Sequence, residues 1–268
     1  MVEREATAKT TYGTLPVFFG HGSPMNAIEQ NQYTQVWREF GLSRPKPRAV
    51  LAISAHWYTN ATMVTAMQSP RTIHDFYGFP TELFEVEYPV KGDPETALKV
   101  IEHARPTVVD PDMTSWGIDH GTWSVLRHVF PLADVPVLQL SIDATKAMSH
   151  HFEQGRRLAP LAEEDVLVVC SGNVVHNLRR IDFSLPGEGF DWAHKFNEAA
   201  LGIMTTDLLK VVDLSKHHDF ALAAPTPEHF LPLVYLAGML YEIGLNATPI
   251  IDGYEYGSLS MTAFSAGT

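Results

Sequence analysis

The chain has 268 residues, 45% of them hydrophobic and 19% charged, which suits one substantial core and excludes a disordered chain. Its 31 acidic against 19 basic residues leave a net charge of −12, which argues against binding nucleic acid or an anionic membrane surface. A single Cys against 13 His excludes an internal disulfide and a Cys-rich zinc site, and fits a reducing cytoplasm.

Residues 1–14 read as a polar segment without the apolar centre of a signal peptide, and 15–268 as one domain. The stretch Leu231 to Tyr241 is too short to span a bilayer. Short, nearly continuous apolar runs are the mark of strands buried on both faces. Four runs fit in chain order: Leu15 to Gly20, Ala49 to Ala55, Val135 to Ile142 and Val166 to Cys170. Helical patterns lie between and after them, over Pro94 to Ala104, Gly121 to Phe130, Ser149 to Leu161 and Trp192 to Leu209. Thr226-Pro-Glu-His229 reads as a helix start, with a Thr cap and Pro at the first position, continuing into Phe230 to Leu240. Pro249 to Tyr254 and Leu259 to Phe264 read as two further strands. The alternation predicts an α/β fold, a central and mostly parallel sheet flanked by helices, with its site at the carboxyl ends of the strands.

The histidines gather at those ends. His21 follows the first run, His56 the second, and His176 the fourth by a few residues. His229 lies in the first turn of the expected Thr226 helix, and His120 opens another helix. A lone His is more often a core or surface residue than a ligand, but three at successive strand ends imply a shared site. His103, His128, His150, His151, His194, His217 and His218 read as surface, and His74 lies in an aromatic loop. Neutral imidazole suits Zn, Fe, Cu or Ni, and the wide sequence separation means that the fold must assemble the site. Gly20-His-Gly-Ser23 has the wrong order for a nucleophile elbow, so Ser23 is a weak candidate, and Cys170 reads as an inert buried thiol.

Six motifs together carry a resemblance. They are Gly20-His-Gly-Ser-Pro-Met25, Ser54-Ala-His-Trp57, Ile73-His-Asp-Phe-Tyr-Gly-Phe-Pro80, Trp116-Gly-x-Asp-His-Gly-Thr-Trp123, Ser171-Gly-Asn-Val-Val-His-Asn177 and Pro225-Thr-Pro-Glu-His229. The chain resembles the DOPA 4,5-dioxygenase group of the class III, LigB-type extradiol ring-cleavage dioxygenases, from about Pro16 to Met261. That resemblance implies a non-haem iron(II) enzyme that inserts both atoms of O₂ into a catechol beside its hydroxyl pair. It implies one metal per chain, with His21, His56 and His229 as ligands. It makes His176 the acid/base, or a fourth ligand when Zn(II) occupies the site, and places His120 beside substrate or oxygen.

Spacing leaves the third ligand open, because the commoner iron triad is two His and a carboxylate and Glu228 adjoins His229. The resemblance selects His229. Trp57, Phe76, Tyr77, Phe79 and Trp123 could wall a planar substrate or simply pack the core. Two rival functions remain at this stage: a zinc hydrolase on the same sheet edge, with His176 as base, and a non-catalytic binding relative. Oxygen consumption with Fe(II) separates the first from a dioxygenase. A binding protein has no use for an acid/base His beside its metal.

Overall fold

The computed structural model describes residues 14–267, so nearly all of the polar segment expected over 1–14 lies outside the described residues. Ten strands are present among the described residues: β1 Val17–Gly20, β2 Ala49–Thr59, β3 Met63–Thr65, β4 Asp110–Asp112, β5 Val137–Asp143, β6 Val166–Gly172, β7 Ala247–Ile251, β8 Tyr254–Glu255, β9 Leu259–Ser260 and β10 Ala263–Ala266. Eight of them form one sheet in the order β4-β3-β5-β2-β6-β1-β10-β7, while β8 and β9 pair as a small hairpin. The four central strands β5, β2, β6 and β1 are mutually parallel and are the four apolar runs of the sequence. Antiparallel neighbours close each side, β3 on β5 and β10 on β1.

The apolar runs are continuous because both faces of the sheet are covered. Alternate residues divide cleanly between two cores, as the two-residue period of a strand requires. Phe18, Leu51, Ile53, Leu138, Leu140, Val168 and Cys170 face one core. There they meet α3 (Pro94–His103), α5 (Met148–Leu158), α6 (Asp191–Thr206) and α8 (Leu231–Ile243). Val17, Phe19, Val50, Val137, Leu167 and Val169 face the other core, under α1 (Gln32–Leu42) and α4 (His120–Val129). Two one-turn helices complete the set, α2 (Thr81–Phe84) and α7 (Phe220–Ala223). The result is a single three-layer α/β domain. No helix among the described residues is long and apolar enough to cross a membrane.

Several expectations shift. The helix expected from Thr226 begins at Leu231, with Pro232 in its first turn. Residues 226–230 form a turn in which the Phe230 and Leu231 amides donate to the Pro227 carbonyl. Thr226 does not cap the helix, because its hydroxyl donates instead to the Glu228 carboxylate at 2.7 Å. The two expected C-terminal strands become β7 and β10, with the β8–β9 hairpin between them. Helix α1 and the short strands β3 and β4 were not anticipated. Of the seven histidines assigned to the surface, His128 and His151 are buried. Each found a polar partner inside: His128 Nε2 lies 2.7 Å from the Asn26 carbonyl, and His151 Nδ1 lies 3.1 Å from the Tyr235 hydroxyl.

Candidate metal centre

Adjacency of β2, β6 and β1 in the sheet brings their carboxyl ends to one edge. His21 follows β1 directly and is held by its backbone amide donating to the Gly172 carbonyl of β6. His56 lies within β2, where pairing to β5 slips between Ile53 and Tyr58. A strand that carries extra residues bulges out of the sheet, and here the bulge re-aims the imidazole. His176 follows β6, its amide bonded to the Ala223 carbonyl. His229 sits in the turn before α8 and accepts from the Asn173 amide through its carbonyl. His120 is the first residue of α4, whose cap is Asp119.

Two glycines permit this approach. Gly22 has a positive φ of 62°, and a side chain there would run into the Met261 sulfur. A Cβ on Gly121 would lie 2.6 Å from the Ser54 hydroxyl and 2.7 Å from the His56 ring, so α4 docks against His56 only because residue 121 has none.

All five expected histidines meet at one cavity of about 400 Å³, with Asp75, Phe76, Tyr77, Phe79 and Phe183 among its other walls. Ring centroids of His56 and His120 are 3.9 Å apart, and those of His21 and His229 are 5.4 Å apart. His176 stacks face to face on His229 at 3.5 Å. His21, His56 and His120 form one donor group, each offering a nitrogen within 4.8 Å of the others.

Hydrogen bonds fix which nitrogens face inward. The Ser171 hydroxyl donates to the Gly121 carbonyl at 2.5 Å, so it can only accept from His21 Nδ1–H, 3.0 Å away. Asp75 accepts from two rings at once, His56 Nδ1 at 3.1 Å and His120 Nδ1 at 2.9 Å. With their Nδ1 protons committed, His21, His56 and His120 turn Nε2 lone pairs inward. His21 Nε2 and His56 Nε2 lie 3.2 Å apart, an arrangement that needs a positive charge between them. The Nε2 atom of His229 is buried without any hydrogen-bond partner. A buried polar atom left unpaired costs roughly 1–3 kcal/mol, so converging lone pairs and an orphaned nitrogen both fit a divalent cation. An all-imidazole donor set suits a first-row transition metal better than Mg or Ca.

Four of the five imidazoles are held toward the neutral form. Burial holds His21 and His229 well below the ordinary imidazole range, with neighbouring histidines adding to the effect. Burial and the His56 charge push His120 down to about 4, and burial with His56 and His120 pushes His176 to about 3. His56 moves the other way. Burial disfavours its cation, but the Asp75 hydrogen bond and the charges of Asp119, Asp75 and Glu228 outweigh it and raise its pKa. Burial alone would raise Asp75, yet bonds from His120 and His56 hold it far below the carboxylate range.

Asp75 is the functional residue that sequence reasoning overlooked, although its motif had been noted. A carboxylate one residue after His74 carried no pattern by itself, and its pairing with His56 and His120 is made only by the fold. His74 itself leaves the site and approaches the Val86 carbonyl at 2.9 Å. Of the five aromatics, Phe76, Tyr77 and Phe79 line the cavity. Trp57 instead stacks on Trp116, and Trp123 is core, donating its indole N–H to the Ile73 carbonyl. Ser23 caps the short helical turn Pro24–Ala27, and Cys170 is buried with its thiol pKa pushed up by desolvation.

Residues 16–260 match the family model of the catalytic LigB subunit of aromatic ring-opening dioxygenase. The chain belongs to the LigB family. A LigB-family relative from Escherichia coli (strain K12), named 4,5-DOPA dioxygenase extradiol, is 44% identical over 94% of both chains. One of the same name from Beta vulgaris is 36% identical over 92% of this chain and 94% of its own. A crystal structure of an uncharacterized Escherichia coli K12 protein superposes with a TM-score of 0.83 at 40% identity, covering 95% of this chain and all of that one. The LigB assignment supports an extradiol-dioxygenase-like enzyme with a metal site and a small aromatic substrate.

Proposed function

We propose that this LigB-family chain is an iron(II)-dependent extradiol dioxygenase that opens the ring of a catechol with O₂, using one metal per chain. Carrying this reading is the convergence of five imidazoles on one cavity, three of them buried, with the tautomers of His21, His56 and His120 leaving their Nε2 lone pairs facing it. His21, His56 and His229 would hold the metal. When bound, iron(II) would acidify both catechol hydroxyls and bring ring and O₂ into electronic contact.

The protein's own groups have separate tasks. His176 is neutral at pH 7, so its unprotonated ring nitrogen can take a proton from a catechol hydroxyl and later return it. Stacking on His229 would hold that ring beside the metal. His120 stands at the N-terminus of α4, where the helix dipole favours negative charge. With Nδ1–H given to Asp75, its Nε2 lone pair is suited to accept a hydrogen bond from a catechol hydroxyl. Phe76 and Phe79 present apolar surface to the ring and restrict water.

A second ligand set has a specific observation in its favour, since His21, His56 and His120 each offer a nitrogen within 4.8 Å of the others. Metal analysis of single variants separates the two. His229→Ala should abolish iron binding, whereas Glu228→Gln should keep it and His120→Ala should keep it with loss of turnover. Retention in His229→Ala with loss in His120→Ala reassigns the third ligand, and loss in Glu228→Gln restores a carboxylate triad. Hydrolytic activity of the zinc-loaded protein, without O₂ uptake when iron-loaded, would favour the hydrolase.

A further inference from the structure

The hairpin of β8 and β9 turns through Tyr256 and Gly257, both with positive φ, 54° and 78°. Turns that need two such residues in succession favour Asn-Gly or Asp-Gly, because a bulky side chain is strained there. Gly257 meets that preference and Tyr256 does not. The backbone has no freedom to relax, because both residues are tied to the loop 182–190. The Tyr256 amide donates to the Leu185 carbonyl, and the Tyr256 carbonyl accepts from the Asp182 amide, each at 3.0 Å. The Gly257 amide donates to the Glu188 carbonyl at 2.9 Å, and its carbonyl accepts from the Phe190 amide at 2.8 Å. Among the described residues, Ala133 and Asp165 are the other non-glycine positions with positive φ, and neither borders the histidine cavity. Tyr256 does border it. Its aromatic neighbour is Phe183, with ring centroids 5.2 Å apart, and Phe183 is 77% exposed. Their contact buries little surface and offsets little of the strain. Residues held in strained conformations by the bonds around them cluster where a ligand is gripped.

We infer that Tyr256 is a specificity-determining residue, its ring bearing on the substituent of a catechol seated at the histidines. The inference rests on the catechol reading, since the two hydroxyls must sit at the histidine cluster for a substituent to point outward. An aromatic ring there offers apolar surface to an alkyl chain and to the CH₂ stem of an amino acid alike. The contact is therefore independent of the charge at the far end of the substituent.

Zinc-loaded protein under anaerobic conditions permits the test without turnover. Calorimetric titration with catechol, 4-butylcatechol and L-DOPA compares wild type with Tyr256→Asn and Tyr256→Phe, and urea unfolding gives the stability of each. Tyr256→Asn supplies a residue that the turn prefers, so its urea midpoint should rise. It should bind 4-butylcatechol and L-DOPA about fivefold more weakly, the scale of one aromatic contact, and catechol as tightly as wild type. Tyr256→Phe keeps the ring and should bind all three as wild type does. Unchanged binding of either substituted catechol in Tyr256→Asn overturns the inference. An equal loss for catechol itself does the same, by making the residue structural, as does a urea midpoint that falls. A loss in Tyr256→Phe that matches the loss in Tyr256→Asn also overturns it, because the contact then lies with the hydroxyl. No binding of any catechol by wild type sinks the catechol reading together with the inference. The expected binding pattern without O₂ uptake by iron-loaded protein sinks ring cleavage alone.

Discussion

Asp75 carries the largest consequence of any single side chain outside the imidazoles. Its two oxygens fix the tautomers of His56 and His120 together, so one carboxylate orients a prospective ligand and the ring proposed to stand beside the substrate. Groups in this outer position typically change metal affinity 10–100-fold on mutation. Asp75→Asn keeps the size but can accept from only one ring, and its amide would meet the other Nδ1–H. Iron affinity measured by competition with a chelator should therefore fall by about that factor, with the fold intact by circular dichroism. Unchanged affinity would assign the bridge to packing alone. Ser171 does the same for His21 with a neutral hydroxyl, which accounts for His21 lacking the cation-stabilising partner that raises His56.

At the scale of elements, the site is produced by contacts between segments remote in sequence. Gly121→Ala would drive a methyl into Ser54 and His56, and α4 would have to withdraw from β2. Loss of iron affinity together with a lower urea midpoint is expected, since both depend on that docking. Helix α1 offers a contrast away from the metal. Asn31 and Thr34 form a reciprocal capping box at its start. Asn31→Ala should cost about 1 kcal/mol in urea unfolding and leave iron affinity alone.

Legibility in the sequence follows from these same elements. The four central strands were readable because burial on both faces leaves an unbroken apolar run, and the strand-end histidines could then be placed on one edge. Helix α1 carried a readable signal in Asn31, Thr34 and the spaced Tyr33, Trp37 and Phe40, which was overlooked. Strands β3 and β4 span three residues each and carry little pattern, and Asp110-Pro-Asp112 becomes an edge strand only through its pairing with β3. His229 was expected on a helix and lies in a turn, because Thr226 bonds Glu228 rather than capping. The gathering of His21, His56, His120, His176 and His229 was foreseen. Asp75, the residue that aims two of them, was not, because tautomers are set by tertiary contacts.

The whole molecule stores neutral imidazoles in its interior. His120 and His151 are each lowered to about 4 and His176 to about 3, chiefly by burial, against an ordinary value near 6.5. Between about pH 6.5 and 4 the unfolded chain binds more protons than the folded one, so stability present above pH 6.5 is lost as the pH falls. The depressed Asp75 acts in the same direction, its contribution being lost as pH falls through its lowered pKa. His56 opposes it, contributing below its unfolded pKa and losing that contribution as the pH rises through its raised value. His151 alone corresponds to on the order of 3 kcal/mol across that window. The urea midpoint of metal-free protein should therefore drop clearly between pH 7.5 and pH 5, and a flat profile would contradict burial of neutral histidines. Bound metal competes with protons for the same nitrogens and should steepen the loss.

Oxygen consumption by the iron(II)-loaded protein is the most direct measurement, made in an oxygen electrode with 4-butylcatechol, catechol and L-DOPA while the visible absorbance is followed. One O₂ consumed per catechol, with a coloured ring-opened semialdehyde appearing at the same rate and lost in His176→Ala, is the predicted result. No O₂ uptake above the metal-free control on any of the three would contradict it.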